Sequence, residues 1–189
     1  MKNKKTLLIL FILVVLAQLY VPLQMIFDQE DVLKTGKEFK FQTEPVDPND
    51  PFRGKYITLS FKVREITVKN IKNWQNGETI FAKITTDKNG FAKIAAISKS
   101  KPKYSSDYLK VKINAVSNFK NENIIFLDFP FNRFYMNENK AQKAEEVYAE
   151  SITDSINKTF ALVAVKNGEA VIKDVLINEV SIKELANKK

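Results

Sequence analysis

Leu109-Lys110-Val111-Lys112-Ile113-Asn114-Ala115 decides the fold class. Apolar and polar residues alternate strictly, the period of a strand with one face in a core and one in water. Working outward, Ile80, Ala82 and Ile84 repeat the pattern, and a further apolar run, 91–97, follows Asp87-Lys88-Asn89-Gly90. Asn89 and Gly90 tolerate positive φ, so the two runs predict a hairpin. Asn167-Gly168 predicts a second hairpin between residues 159–165 and 170–177. One helix interrupts the strands at residues 140–151, where Ala141, Ala144, Val147 and Tyr148 share a face and Asn139 is the expected N-cap. A weaker helical stretch covers residues 182–186. From residue 36 onward the chain therefore predicts a mainly β (β-rich α+β) fold, one antiparallel β domain with one packed helix, with no internal repeat and no low-complexity linker.

The N-terminus obeys other rules. Between Lys5 and Asp28 there is no charged residue, and within residues 6–27 only Thr6, Gln18 and Gln24 are clearly polar. As a helix this run is about 33 Å long against a hydrocarbon layer of about 30 Å. Lys2, Lys4 and Lys5 precede it; Asp28, Glu30 and Asp31 follow. The positive-inside rule then leaves the N-terminus in the cytoplasm and exports the remainder. No small-x-small cleavage site follows Ala17, and no cysteine is present for lipidation. A buried core helix keeps a polar face, which the first eleven positions lack. The expected organisation is a cytoplasmic basic tail (1–5), a transmembrane signal anchor (6–27) and an extracytoplasmic domain (28–189). That places the protein in the cell (inner or plasma) membrane as a single-pass chain, with the lipid bilayer as partner of residues 6–27. Pro22 is expected to kink or end the regular helix.

Composition narrows the chemistry. The 189 residues, 44% hydrophobic and 28% charged, are those of one globular domain and contain neither cysteine nor histidine. Disulfides, Cys/His zinc sites, thiol chemistry and nucleophile–His triads are excluded; no metal and no cofactor is expected. The net charge of +8 comes largely from lysine, with Arg53, Arg64 and Arg133 the only arginines. Nucleic-acid recognition favours the arginine fork, and no basic run interleaved with aromatics occurs, so no nucleic-acid partner is expected.

Residues 45–54, PVDPNDPFRG, hold three of the six prolines. Asp-Pro steps fix φ and let aspartates cap neighbouring amides, which predicts a rigid loop. It feeds a strand, 55–61, with Ile57, Leu59 and Phe61 on one face and Tyr56, Thr58 and Ser60 on the other. PVDPNDPFRGKYITLSF resembles the signature of the GDYXXLXY proteins: Gly54, Tyr56 and Leu59 match, while Lys55 stands in place of Asp and Phe61 in place of the last Tyr. Arg133-Phe134-Tyr135-Met136-Asn137-Glu138 resembles the family's later aromatic-then-Glu segment before a helix, and Asn167-Gly168-Glu169-Ala170 its closing hairpin. The resemblance implies a membrane-anchored protein without assigned activity, found beside a polytopic membrane protein, which is the partner it suggests.

Of the chemistry-bearing residues, Asp47, Asn49 and Asp50 have oxygen ligands for calcium, but the spacing lacks a complete loop and a distant bidentate Glu. Turn capping accounts for all three. Arg53 is expected to brace the loop against Asp47 or Asp50. Glu138 with either aspartate would suit an envelope hydrolase acting on glycan or peptide, the alternative reading. A catalytically inactive domain of signal-peptidase type is a further alternative, since no serine precedes mid-strand Ser60. The expectation is a non-enzymatic binding or accessory domain. Its surface is built from Asp47, Asp50, Arg53, Gly54, Tyr56, Leu59, Arg133, Tyr135 and Glu138.

Overall fold

The computed structural model describes residues 2–44, 56–119, 122–153 and 158–187. Helix α1 runs unbroken from Lys2 to Thr35, through Pro22. The helix does not end at Pro22: proline forfeits one backbone bond there, and the turns on either side continue without it. Among the described residues, sixteen of the eighteen exposed large hydrophobic side chains lie between Leu7 and Phe27 on this helix. No part of its most apolar window is buried against the protein. That excludes a core helix and leaves a face all round that water does not tolerate.

Near its end α1 docks. Val32 is buried, and Lys166 reaches back to Asp31 at 2.6 Å and to the Thr35 hydroxyl at 2.7 Å. The Gly36 amide donates to the Val32 carbonyl at 2.8 Å. A Cβ at residue 36 would stand 2.5 Å from that carbonyl oxygen and 3.2 Å from the Val165 backbone. Strand β1 begins at once, at Lys37, so no linker separates helix from domain.

The domain holds two five-stranded sheets whose strands pair antiparallel. β1 (Lys37–Glu44) lies between β10 (Thr159–Lys166) and the short β3 (Ser60–Phe61), with β11 (Glu169–Ile177) and β12 (Val180–Ser181) beyond β10. The second sheet orders β4 (Glu65–Thr67), β8 (Glu122–Asp128), β7 (Tyr108–Phe119), β5 (Thr79–Thr86) and β6 (Ala92–Ser98). A two-stranded piece joins β2 (Tyr56–Thr58) to β9 (Arg133–Tyr135). Ile80, Ala82, Ile84, Leu109, Val111 and Ile113 are all buried, as their alternation requires. β10 is buried on both faces along most of its length, as a central strand is when both sides are covered.

Both hairpins form. Helix α2 spans Glu138–Thr153 and α3 spans Ile182–Leu185. The N-cap of α2 is not Asn139 but Asn137, whose side-chain oxygen accepts from the Asn139 amide at 3.0 Å. Glu138 thereby enters the first turn, where its carboxylate complements the helix dipole.

The sheets meet along a seam. At one end the tip of the β10–β11 hairpin bonds the backbone of residues 106–110: the Asn167 amide to Ser106, the Gly168 amide to Tyr108, and the Lys110 amide back to Gly168, all at 2.9–3.0 Å. At the other end Phe41, Phe61, Phe129 and Phe131 pack as four rings with centroids 5.2–6.1 Å apart. Such offset and edge-on contacts add about 0.5–1.5 kcal/mol per pair beyond the area they bury.

Candidate functional site

The expected strand 55–61 keeps its side-chain alternation but changes partner midway. Ile57, Leu59 and Phe61 are buried, while Tyr56, Thr58 and Ser60 are half-buried. β2 pairs with β9, then β3 pairs with β1. Leu59 is the corner between them, its amide donating to the Asn132 carbonyl at 2.8 Å. The backbone switches sheets there, so one run of alternating residues becomes two short strands.

The β2–β9 pair brings together two segments far apart in the chain. Tyr56 stands directly opposite Tyr135 and Thr58 opposite Arg133, which puts all four side chains on one face. The tyrosine rings lie 5.3 Å apart at 59°, and the Arg133 guanidinium sits 4.9 Å from the centre of the Tyr56 ring. The cation–π contact is worth about 0.5–1 kcal/mol at an exposed site, and the ring pair a similar amount. Together they fix the rotamers of a surface feature. Tyr135 remains 64% exposed; with Tyr104 it is one of two such large apolar side chains outside α1 among the described residues.

The other expected site residues divide. Asp47, Asp50, Arg53 and Gly54 lie outside the described residues, as does the proposed calcium loop. Leu59 belongs to the core and not to a binding surface, since its place at the corner turns it inward among Ile57 and Phe61. Glu138 is exposed at the start of α2. Ser60, the serine weighed against a signal-peptidase chemistry, gives its hydroxyl proton to Glu44 at 2.7 Å, and Glu44 is paired with Arg64 at 3.1 Å. Among the described residues no group of three carboxylates converges in a metal-sized cluster.

Beside the ladder lies a groove of about 530 Å³ that sequence reasoning missed. Gln29 and Leu33 of α1, Asn132 and Arg133 before and on β9, Lys173 of β11 and Lys183 of α3 all line it. Lys173 is the extra residue of a β-bulge: Leu162 pairs with Asp174 and Val163 with Ile172, leaving Lys173 unopposed. Bulges of this kind re-aim a side chain and concentrate beside functional sites. The Lys183 ammonium rests 5.0 Å from the centre of the Phe134 ring, and Lys173 pairs with Glu38. Nothing in the local sequence marks these two lysines among the chain's many others.

A family model for the GDYXXLXY protein matches residues 18–175, most of the chain. The chain belongs to the GDYXXLXY protein family. No curated protein and no solved structure matches it. Within this family member, the residues under the signature have separable tasks. Tyr56 builds the exposed ladder, Leu59 turns the corner, and Phe61 enters the four-ring cluster. Phe61 is 3% exposed; a phenol hydroxyl there would need a partner among phenylalanine rings, so Phe suits the site.

One buried polar cluster lies apart from these features, beneath α2. Thr43 donates to the Thr159 carbonyl at 3.0 Å, Thr159 donates to the Ser151 hydroxyl at 3.0 Å, and Ser151 donates to the Tyr148 carbonyl at 2.7 Å. The Tyr148 hydroxyl is buried without a well-formed hydrogen bond among the described residues. Burial pushes its pKa up to about 12, which the Thr43 hydroxyl beside it only partly offsets. A tyrosine held neutral this firmly is a structural element of the α2 contact, not a nucleophile at neutral pH.

Proposed function

We propose that the chain is a single-pass membrane protein with its N-terminus in the cytoplasm and its β domain outside, and that this domain is a non-catalytic binding or accessory module for a membrane-protein partner. The observation that carries the reading is the Tyr56–Arg133–Tyr135 ladder. Tyrosine and arginine are enriched at the energetic centres of protein interfaces: tyrosine buries much area while losing little side-chain freedom, and arginine brings a planar fork of donors at the cost of ordering a long side chain. Here that loss is already met in the free protein by the ring pair and the stacked guanidinium, which is preorganisation in the physical sense. The lysines before the apolar run and the carboxylates after it support the orientation.

The test is crosslinking in intact membranes followed by mass spectrometry. The wild-type chain is expected to yield a reproducible membrane-protein adduct, and the double substitution Arg133→Ala/Tyr135→Ala is expected to reduce it at least tenfold while the chain stays in the membrane. Unchanged recovery of the adduct overturns the partner reading. Protease added outside the cell, once any outer barrier is breached, is expected to digest the β domain; a fully protected domain overturns the orientation.

A further inference from the structure

The groove beside the ladder has a position as well as a charge. The apolar run of α1 ends at Phe27, and the helix continues to Thr35 without a break. At about 1.5 Å per residue, Gln29 stands about 3 Å and Leu33 about 9 Å beyond that end. The head-group layer on each side of a bilayer is about 5–7.5 Å deep. A groove lined by Gln29 and Leu33 therefore begins within the head-group layer and reaches just beyond it when α1 spans the membrane. Its wall away from the helix carries Arg133, Lys173 and Lys183. Glu38 offsets Lys173, leaving an excess of about two positive charges. Asn132 and Gln29 add neutral hydrogen-bonding groups, and Leu33 adds apolar surface.

We propose that this groove binds the phosphate head group of an anionic phospholipid in the leaflet where α1 leaves the membrane. Arg133 supplies a planar fork that matches a phosphate through two parallel hydrogen bonds, and Lys183 a mobile point charge on the same anion. The bulge at Lys173 leaves a third cation on the groove wall, where its pairing with Glu38 offsets its charge. Tyr135, exposed at the rim, has the ring-and-hydroxyl character of an interfacial anchor. The inference rests on α1 spanning a membrane and is independent of any protein partner. Juxtamembrane cations gain further from the negative surface potential of such lipids.

The experiment uses the full chain purified in a maltoside detergent micelle. Native mass spectrometry then measures retention of phosphatidylglycerol and of phosphatidylcholine, each added at equal mole fraction. The chain is expected to retain one phosphatidylglycerol with at least tenfold preference. Lys183→Glu combined with Arg133→Gln is expected to abolish that preference while the far-ultraviolet circular dichroism stays that of the wild type; Lys183→Ala alone provides a milder variant with an intermediate loss. Equal retention of the two lipids by the wild-type chain overturns the proposal, as does undiminished selectivity in the folded Lys183→Ala and double variants. Displacement of the lipid by millimolar inorganic phosphate assigns the groove to a free anion and overturns the lipid source. Alkaline carbonate extraction separates this from failure of the anchor reading, since a chain released from membranes loses both and a retained, unselective chain loses only the groove.

Discussion

Two hairpins in this protein carry the same Asn-Gly dipeptide and behave differently. At residues 87–91 only Gly90 has positive φ, +85°. The Asp87 carboxylate accepts from the Asn89 and Phe91 amides at 2.8 and 2.9 Å, and the Gly90 amide donates to the Asp87 carbonyl. That is a three-residue loop, a turn followed by a left-handed glycine. At residues 166–169 both Asn167 and Gly168 have positive φ, the two-residue turn in which both central positions are left-handed. Gly90 has nothing within 4 Å of where a Cβ would go, whereas Gly168 faces the Tyr108 ring at 3.1 Å. The first hairpin closes a sheet edge and touches the other sheet only through Phe91, by a bridge to Lys40 and a ring contact with Phe160; the second is a hub whose own turn residues, Asn167 and Gly168, bond the other sheet while Lys166 bonds the apolar helix. The same two letters thus serve a self-capped turn in one place and the joining of three elements in the other.

The comparison breaks most visibly at Gly168. Replacing it with Val combines a β-branched side chain at φ +99° with a collision against Tyr108, and is expected to cost about 3 kcal/mol or more in urea unfolding of the full chain in detergent. A loss below about 1 kcal/mol would make the hub no tighter than the other turn. The next effect concerns helix α2, which packs against β10 behind the hub. In the folded protein the Tyr148 pKa is raised to about 12, above the unfolded value of about 10. The folded form therefore binds more protons between these values, and its stability is full below pH 10 and declines as pH rises through 12. Tyr148→Phe is expected to leave stability at pH 7 unchanged or slightly higher, and to remove about 2–3 kcal/mol of alkaline loss by pH 12. Equal alkaline loss in both proteins would put the cause elsewhere, in the many lysines.

Smaller changes sharpen the local side of the comparison. Gly90→Ala meets open space but a strained φ, so a cost of about 1 kcal/mol is expected. Asp87→Ala removes two acceptor bonds in an exposed loop, for about 0.5–1.5 kcal/mol, and both should shift the unfolding midpoint by comparable amounts. The smallest effect belongs to Lys166→Ala, an exposed pair with Asp31. It is expected to cost less than about 1 kcal/mol, and less still at high salt; a large, salt-insensitive cost would show the helix dock to be stronger than its geometry implies.

Much of the scaffold was legible because it rests on local rules. Alternation at 109–115 and 80–84 places those residues inward, and Asn-Gly requires a reversal wherever it falls between such runs. The differing turn types were not legible, since they depend on Asp87 in one case and on a second sheet in the other. The same limit governs the site. Tyr56, Arg133 and Tyr135 were marked by resemblance, yet their contact exists only because β2 and β9 pair across 75 or more positions of chain. Lys173 and Lys183 carry no local mark at all: one acquires its place from a bulge defined by its partner strand, the other from a four-residue helix packed against a distant ring. Asn137 rather than Asn139 caps α2 because two asparagines two residues apart offer the same chemistry, and the cap position is settled only by where the amides point.

Gly36 has a mechanical meaning. The domain is keyed to its shaft and not hung from a slack cord, because the space at residue 36 admits no side chain and the next residue is already in a sheet. A force that tilts or turns the shaft therefore applies torque directly to the head, and swings the aromatic face at Tyr135 through the same angle. Any displacement of the apolar helix has a rigid route to the domain through that joint.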